Sequence, residues 1–344
     1  MENINYSIII PHKNIPKLLC RCLDSIPKRE DIQIIVVDDN SAPEIVDFDN
    51  FPGRETPNVE IYFDKSGMGA GRARNIGLQH AVGKWLLFAD ADDFFNYCIN
   101  DLLDDYKESS SDIIFFDSNS VESETYLTGK RGIYTHFMIK MYDENPKRAE
   151  FLLRYYLGVP WSKIIRRSLV EDNKCLFDET PINNDTTFAY TIGIVARSIS
   201  VDKRAGYCIT NRSDSISYTL TDEKILASID VFSRKYKALK EKKIDVYEGF
   251  IPMHMKRLQR EGKKELYEKC LGIMGKYGLN ESMIYKSFWN PPFVENIEDM
   301  RDFCFSDFGK IMMRIFKKKG LLFKILNKAL YLGLKTKKYY DKNI

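Results

Sequence analysis

The sequence predicts an α/β protein with a doubly wound, mainly parallel sheet, followed by a helical C-terminal extension. Over the first 116 residues, short β-branched or aromatic runs alternate with segments whose apolar residues recur at helical spacing. Several of the runs are almost continuously apolar, as is typical of strands covered on both faces. This alternation predicts βαβ units, and sheets of this kind bind ligands at the carboxyl ends of their strands.

The individual elements follow from these two periodicities. The predicted strands are 6–10, 32–37, 59–63, 85–89 and 112–116. The predicted helices between them are 16–26, 70–81 and 96–108. In the first helix, Pro16 occupies a first-turn position that tolerates proline, and Leu19, Cys22 and Ile26 share one face.

The remaining chain is more varied. Residues 118–150 are polar with little periodicity, which predicts an insertion-type loop region with one hairpin. We expect helices at 148–157 and 185–196, a strand and turn at 198–209, and a helix-rich segment over 221–278. The predicted domains are 1–220 (with halves 1–117 and 118–220), a helical subdomain at 221–300, and a basic tail at 301–344.

Composition limits the class of protein. With 344 residues, 44% hydrophobic and 29% charged, the chain has the makeup of a soluble globular protein of one or two domains. The seven cysteines contain no CxxC pair and the four histidines lie far apart, which argues for a reduced compartment and against a zinc site. No signal-peptide pattern and no spanning apolar run is found, so a cytoplasmic location is expected.

The most informative stretch is Leu86 to Phe95, which reads LLFADADDFF. An apolar strand ends there in three carboxylates, Asp90, Asp92 and Asp93, whose mutual repulsion is costly without a nearby cation. Mg²⁺ and Mn²⁺ take carboxylate oxygens together with phosphate oxygens and water. The turn therefore predicts a divalent metal site that leaves positions for a diphosphate, although a lone aspartate such as Asp93 equally often caps a helix or a turn.

Two more polar clusters follow predicted strands. Pro11-His12-Lys13-Asn14 follows the first strand and Asp38-Asp39 ends the second, so both belong to the same edge of the sheet as the three carboxylates. The Asp38-Asp39 pair is suited to accept hydrogen bonds from a nucleobase or ribose. The alternative is that one of the two caps the following helix.

The segment SGMGAGRARNIGLQHA, Ser66 to Ala81, has glycines that mimic a dinucleotide-binding fingerprint. The match fails because arginine, Arg72 or Arg74, stands at the last glycine position, and because the segment follows the third strand instead of the first. Arginines in the first turn of a helix suit an anion docked at the helix N-terminus. The alternative is that Arg72 and Arg74 only neutralise the acidic edge.

Taken together, these segments resemble a known family. SIIIPHKN, IIVVDDNS, GRARNIGLQHAVGKWLLFADADD, VPWSKIIRRSLV, LFDETPINNDTTF and NRSDSIS are similar to motifs of the family 2 glycosyltransferases, which have the GT-A fold. More narrowly, they resemble bacterial capsule and cell-surface polysaccharide transferases. The resemblance covers about residues 5–217.

The resemblance implies roles for particular residues. The D-x-D element, Asp90-Ala91-Asp92, would bind a divalent metal (Mn²⁺ or Mg²⁺) and the nucleotide, with Asp92 as the principal ligand and Asp93 as a further candidate. Arg74 would face the nucleotide or its acidic neighbours. The nucleoside pocket would be lined by Pro11, Asn14, Asp38 and Asp39.

A later acidic motif supplies the general base in this family and usually reads Glu-Asp. Here it reads Asn184-Asp185, so Asp185 is expected to take the acceptor proton while the missing glutamate alters the surroundings. Asp178 and Glu179 are weaker candidates. Trp161 and Lys163 match a W-x-K element and are assigned to the acceptor-side wall, with core packing as the alternative for Trp161.

The end of the sequence is strongly basic. Residues 308–344 contain eleven lysines or arginines and one acid, Asp341. Apolar residues recur there at helical spacing, which predicts an amphipathic helix on an anionic membrane surface. The alternative is a helix packed on the protein with a solvated basic face. Nucleic-acid binding is not expected, because no recognition fold accompanies the charge.

The sequence thus predicts a metal-dependent, inverting hexosyltransferase-type enzyme that uses a nucleotide sugar, with a UDP-sugar favoured. The acceptor would be a hydroxyl of a glycan or a lipid-linked molecule in surface polysaccharide synthesis. The location would be cytoplasmic or peripheral on the inner face of the cell membrane. The alternative from another class is a non-catalytic protein that binds nucleotide sugars at the membrane.

Overall fold

A computed structural model describes residues 4–129, 131–212, 220–246 and 249–280. These residues divide into two compact units between Lys235 and Tyr236. The predicted limits at 220 and 300 stay predictions, and the basic segment 308–344 lies outside the described residues. No helix in the described ranges is long and apolar enough to cross a bilayer.

The first unit contains one sheet of eight strands. They are β1 (Tyr6–His12), β2 (Ile32–Asp39), β3 (Val59–Asp64), β4 (Trp85–Phe88), β5 (Phe94–Phe95), β6 (Ile113–Glu122), β7 (Lys163–Arg166) and β8 (Ile199–Asn211). The order across the sheet is β3-β2-β1-β4-β7-β6-β8-β5. The pairs β3–β2, β2–β1, β1–β4 and β6–β8 are parallel, whereas β7 runs antiparallel to both of its neighbours. The mainly parallel sheet is therefore confirmed.

The described part of the first unit also contains helices, the last of which continues beyond Lys235 into the second unit. They are α1 (Pro16–Asp24), α2 (Ala70–His80), α3 (Ile99–Tyr106), α4 (Ile133–Met141), α5 (Pro146–Tyr155), α6 (Arg167–Asp172), α7 (Thr186–Val195) and α8 (Asp222–Glu241). The second unit contains α9 (Phe250–Arg260) and α10 (Lys264–Lys276). The predicted helix-rich character of 221–278 is thus confirmed over its described part.

Both faces of the sheet are covered, as the continuous apolar runs predict. All eight residues of β2 are buried. On one face, Ile8, Ile34 and Leu87 belong to a core cluster that includes Leu19 and Cys22 of α1. On the other face, α2 approaches β1 so closely that a Cβ atom on Gly77 would lie 2.4 Å from Ile9. Burial of these apolar surfaces is the main force holding the layers together.

The prediction for residues 118–150 is only partly right. Strand β6 continues to Glu122, and a bridge between Val121 and Thr128 gives the expected hairpin-like return. Residues 133–141, however, form α4, which the sequence analysis assigns to a loop. The helix is stabilised by packing, because Thr135, Met138 and Ile139 are buried at helical spacing.

Candidate functional site

Topology brings the predicted polar clusters to one edge of the sheet. Strands β1, β2 and β4 are mutually parallel, and β6 runs antiparallel to β7, which is itself antiparallel to β4. The carboxyl ends of β1, β2, β4 and β6 therefore share one edge. The clusters after His12, Asp39 and Phe88 meet there, as the sequence predicts.

Asp38 anchors the edge from inside. It is fully buried, its Oδ2 atom lies 2.8 Å from His12 Nδ1, and Ser41 donates from its hydroxyl (2.5 Å) and its backbone N–H (2.9 Å). Because Ile15 N donates to His12 Nε2, the His12 proton sits on Nδ1 and is donated to Asp38. Burial alone would raise the pKa of Asp38, but the hydrogen bonds from His12 and Ser41 together lower it. In this geometry Asp38 caps a turn, since no helix lies between β2 and β3.

Pro11 and Asn14 shape the same corner. Pro11 is buried in β1 opposite Val37. Asn14 has a φ of 58° and joins the loops after β1 and β2: its backbone N–H donates to Ser41 Oγ (2.8 Å), and its Oδ1 accepts from Ala42 N (2.8 Å). Both residues lie at the edge where the sequence predicts a nucleoside pocket, and their role in binding a nucleoside stays a prediction.

Asp39 lies between two groups that a ligand could meet. Its Oδ2 atom pairs with Lys13 Nζ at 3.0 Å, and its Oδ1 atom accepts from Gly69 N at 2.9 Å. Gly69 is the residue before α2 and has a φ of 92°, a conformation that side chains rarely adopt. The Lys13 side chain is 42% exposed, so it can swing away without breaking the fold. Asp39 is thus better placed than Asp38 to exchange a partner.

In the turn after β4, the side chains of Asp90 and Asp92 point away from that of Asp93. The side chains of Asp90 and Asp92 are 33% and 21% exposed, and each pairs with an arginine: Asp90 with Arg74 at 2.6 Å, and Asp92 with Arg212 at 3.0 Å. Burial and the charge of Asp90 raise the pKa of Asp92, which Arg212 partly offsets. The positive charges that offset the repulsion between these carboxylates are, in this structure, the guanidinium groups of Arg74 and Arg212.

Asp93 points the other way. It is 2% exposed, Tyr207 OH donates to its Oδ2 (3.0 Å), and Thr210 N donates to its Oδ1 (2.7 Å). Burial, together with the charges of Asp92 and Asp90, raises the pKa of Asp93 well above its ordinary value. Both oxygens bind β8, so the geometry favours Asp90 and Asp92 over Asp93 as metal ligands, while the assignment itself stays a prediction.

Arg21 supports this turn from behind and is a residue that the sequence analysis missed. Its guanidinium donates to the backbone carbonyl of Asp92 (2.5 Å) and to that of Ser123 (2.9 Å). The same group lies over the rings of Phe94 and Tyr126, at 5.4 and 5.8 Å from their centroids. No sequence pattern reveals this role, because the partners are backbone atoms far away along the chain.

Arg74 connects the carboxylate turn to the segment before α7. It donates to Asp90 Oδ1 (2.6 Å) and to Asn184 Oδ1 (2.9 Å) and is 5% exposed. The next residue, Asn75, clamps the backbone of Phe177 with two hydrogen bonds of 2.9 and 3.0 Å. Asn75 was also missed, although its place beside Arg74 is a usable signal. Arg72, in contrast, only neutralises Asp64 at 2.9 Å and Glu179 at 3.7 Å.

The segment that carries the base candidate packs directly on α2. A Cβ atom on Gly71 would lie 1.9 Å from the carbonyl oxygen of Asp178, so only glycine allows this approach. Asp178 N in turn donates to the carbonyl oxygen of Asn184 at 2.9 Å. Close packing therefore fixes Asn184 and Asp185 beside Arg74.

Asp185 precedes the first residue of α7 and is half-buried. Its side chain does not cap the helix. Burial raises the pKa of Asp185 and the charge of Asp90 adds to this, while Arg74 and Lys163 lower it; the net shift is upward. A carboxylate with a raised pKa beside other charged groups is typical of a general base.

The weaker base candidates have other partners. Asp178 accepts two hydrogen bonds from Arg234 (2.9 and 3.2 Å) and one from Thr187 (2.6 Å), which ties the segment before α7 to α8. Glu179 lies between Arg72 and Asn75. Asp178 thus belongs to a structural ion pair with Arg234. Asp185 is the better candidate for the base, because its carboxylate has fewer hydrogen-bond partners among the described residues.

Trp161 and Lys163 are both buried, at 7% and 2% exposure. Trp161 stacks on Tyr207 with ring centroids 5.5 Å apart, which agrees with the core-packing alternative. Lys163 Nζ donates to the carbonyl oxygens of Leu157 (3.1 Å) and Val159. The geometry does not favour an exposed acceptor-side wall made of these two side chains.

Within the described ranges, no group of three or more His, Cys, Asp and Glu side chains is arranged to hold a metal ion. Mg²⁺ and Mn²⁺ sites that also use substrate phosphates need only one or two protein carboxylates. The partly exposed pair Asp90 and Asp92 meets that need. The edge therefore combines two carboxylates that could hold a cation, a candidate general base, and arginines that can face an anion.

Comparison with known proteins agrees with this arrangement. Residues 7–173 match the family model described as Glycosyl transferase family 2. Glycosyltransferase GlyA of Streptococcus pneumoniae is 24% identical over 276 residues, or 74% of this chain and 38% of that protein. Putative glycosyltransferase EpsH of Bacillus subtilis is 24% identical over 294 residues, or 79% of this chain and 83% of that protein.

A third relative also has a known structure. Poly(ribitol-phosphate) beta-N-acetylglucosaminyltransferase TarS of Staphylococcus aureus is 27% identical over 218 residues, or 61% of this chain and 36% of that protein. Its residues 1–349 in complex with UDP-GlcNAc give a TM-score of 0.57 at 22% identity, covering 79% of this chain and 80% of the other. The matches span little more than a third of GlyA and TarS, and at this identity the structural likeness establishes the fold alone.

Proposed function

The chain is a family 2 glycosyltransferase by its domain at residues 7–173, and we propose that it moves a sugar from a UDP-sugar to a hydroxyl group with inversion at the anomeric carbon. The observation that carries this proposal is the bridge of Arg74 between Asp90 and Asn184. The bridge places the carboxylate turn and the base candidate Asp185 on the two sides of one guanidinium.

The donor is proposed to be a UDP-sugar for two reasons. The related TarS has been solved with UDP-GlcNAc and with UDP. In addition, the exposed Lys13 and the buried Asp39 with which it pairs offer a donor and an acceptor side by side, which suits the edge of a uracil ring. Pro11, Asn14 and Asp38 would hold the loops that shape this pocket.

Asp90 and Asp92 are proposed to hold a divalent metal ion together with the donor diphosphate. When bound, the ion would neutralise the negative charge that develops on the departing diphosphate. Arg74 and Arg212 already neutralise these carboxylates, and they are the side chains that a diphosphate would meet next to them. Arg74 would remain as the link to Asn184.

Asp185 is proposed to accept the proton of the acceptor hydroxyl as the new bond forms. Its raised pKa makes it a stronger base than an ordinary aspartate. Inversion follows if Asp185 directs the hydroxyl to the face opposite the diphosphate. Support comes from TarS, which is named as a β-N-acetylglucosaminyltransferase, because a β-linked product from an α-linked UDP-sugar requires inversion.

The acceptor is proposed to be a cell-surface glycan or a lipid-linked precursor, and the enzyme to work at the cytoplasmic face of the membrane. TarS, which is named for poly(ribitol-phosphate), supports a polymeric acceptor. The eleven basic residues of 308–344 support binding to an anionic membrane. Truncation after Phe305 is expected to abolish binding to vesicles that contain anionic lipid, and equal binding by the truncated chain would refute this part of the proposal.

The central test is release of UDP from a panel of UDP-sugars, measured with Mn²⁺, with Mg²⁺ and with EDTA. We expect release from at least one donor, stimulated by the metals and by an added surface-glycan acceptor. Product analysis by NMR then reports the anomeric configuration. Tight UDP binding without release from any donor would instead favour a protein that only binds nucleotide sugars.

A further inference from the structure

Lys163 is a buried cation that the proposed reaction does not yet use. Its residue is 2% exposed, and its Nζ donates to two backbone carbonyls, those of Leu157 and Val159. Its Nζ lies 5.7 Å from the centroid of the Phe115 ring. Among the described residues, no carboxylate forms an ion pair with Lys163 within 4 Å. A lysine in such a position is costly unless a charge nearby compensates for it.

The backbone around Lys163 is held in an unusual conformation. Ser162, between Trp161 and Lys163, is buried and has a φ of 58°, a region that non-glycine residues rarely occupy. Its carbonyl accepts a 3.1 Å hydrogen bond from Phe116 N. This turn sends Trp161 onto Tyr207 and lets Lys163 begin β7. Strain of this kind persists only where the surrounding structure enforces it, and it is concentrated near functional sites.

The two carbonyls that Lys163 holds belong to a loop that lies near the start of α7. Gly158 lies between Leu157 and Val159, and a Cβ atom on Gly158 would lie 3.8 Å from Thr186 Oγ1. Thr186 is the first residue of α7 and directly follows Asp185. The contacts of Lys163 therefore reach, through one loop, the helical turn that carries the base candidate.

We propose that Lys163 is a positioning residue for Asp185: it holds the 157–159 loop beside the start of α7 and supplies a buried positive charge that acts on Asp185. This inference rests on the proposed function in so far as Asp185 is the general base. It predicts a specific electrostatic partnership between β7 and α7. That partnership goes beyond a packing role for the W-x-K element.

The charges around Asp185 are consistent with this role. Three groups act on it from three elements: Arg74 from α2, Asp90 from the turn after β4, and Lys163 from β7. Arg74 is already engaged with Asp90 and Asn184, whereas Asp185 is the charged group that acts on Lys163. Burial lowers the pKa of Lys163 to about 7, and Asp185 opposes that fall. Asp185 and Lys163 thus each stabilise the charged form of the other.

The first test is the pH dependence of kcat/KM for UDP release from UDP-GlcNAc in Lys163→Met. Without the positive charge the pKa of Asp185 rises, so the acidic limb of the profile should move up by about one pH unit. Lys163→Arg, which keeps the charge, should retain the wild-type limb if it folds. Lys235→Met is a matched control, because Lys235 is also buried (6% exposed) but packs on Tyr156 and Phe232. An acidic limb of Lys163→Met that coincides with the wild-type limb would overturn the proposal.

The second test is independent of turnover and of the folding of Lys163 variants. The Lys163 side chain is titrated by ¹³C NMR in the wild type and in Asp185→Asn, where the partner's charge is removed. The Lys163 titration should move to lower pH in Asp185→Asn, and an unmoved titration would overturn the proposal. An enzyme that releases no UDP from any donor but shows the moved titration would overturn the proposed function and leave the partnership supported.

Discussion

The Arg74 guanidinium donates a 2.9 Å hydrogen bond to Oδ1 of Asn184, a residue 110 positions further along the chain. The resemblance leads one to expect a glutamate at position 184, and a glutamate could accept the same hydrogen bond. The asparagine therefore keeps the link between Arg74 and the segment before α7 but contributes no charge to it. Asparagine in place of glutamate at position 184 therefore changes the electrostatics of the site more than its geometry.

Asn184→Glu is expected to move the acidic limb of the kcat/KM profile to higher pH. The added carboxylate raises the pKa of the neighbouring Asp185, and Asp185 must be deprotonated to accept a proton, so activity is lost at a higher pH as the solution is acidified. Activity on the plateau should stay within about threefold, since the hydrogen bond to Arg74 is kept. Asn184→Leu is the uncharged comparison. A limb that does not move in Asn184→Glu would contradict this explanation of the site.

Asp185→Asn is expected to lower kcat for UDP release by about 10²- to 10⁴-fold, because the variant has no carboxylate to take the acceptor proton. The Kd for UDP with Mn²⁺, measured by calorimetry, should be unchanged. Asp178→Asn is the control from the same segment: it weakens the pair with Arg234 and should cost about 1–2 kcal/mol of stability without a comparable loss of kcat. Substantial turnover in Asp185→Asn would remove the base assignment.

Experiments should distinguish the role of Asp93 from the roles of Asp90 and Asp92 in the DADD turn. The double variant Asp90→Asn, Asp92→Asn is expected to lose Mn²⁺-dependent UDP binding by 100-fold or more, roughly the scale of removing both charged ligands. Asp93→Asn should keep that binding but unfold at lower temperature, because both Asp93 oxygens accept hydrogen bonds from β8. Calorimetry and thermal unfolding report the two effects separately. Unchanged metal-dependent binding in the double variant would refute the metal site.

Arg21→Lys is expected to weaken binding of Mn²⁺ and UDP by about tenfold, since lysine cannot contact Asp92 O and Ser123 O together while stacking on Phe94. The turn that carries Asp90 and Asp92 would then be less well held. Arg29→Lys is the matched control: that arginine also stacks on a ring, Tyr6, but pairs with Asp31 before β2. Equal affinity in wild type and Arg21→Lys would show that the turn needs no such support.

Much of the fold was predictable because each early strand is a continuous apolar run between helical segments. The five predicted strands all exist, with ends within a few residues, apart from β6, which extends to Glu122. Four elements were missed, namely β5, β7, α4 and α6, and the physical reason is clear for two of them. Strand β7 has only four residues and is defined by its pairing with β4 and β6, which sequence periodicity cannot reveal. Helix α4 is a short apolar segment, IYTHFMIKM, inside a polar region, and it depends on the three side chains it buries.

The candidate site was predictable in its location but not in the direction of its side chains. Neighbouring aspartates look alike in sequence, yet Asp38 points into the core while Asp39 meets the exposed Lys13. The same holds for Asp93, which faces β8, and Asp92, which faces Arg212. Alternation along a strand or turn decides these directions, and a shift of one residue reverses them.

The antiparallel strand β7 lies between β4 and β6, so the centre of the sheet is completed by residues 163–166. During synthesis, about 75 further residues must be added after the apolar strand WLLF of β4 before its second neighbour, β7, exists. Such an unpaired edge attracts other chains. Residues 1–117 should therefore aggregate when produced alone, and the first half of the domain is better regarded as an unfinished sheet than as an autonomous nucleotide-binding module.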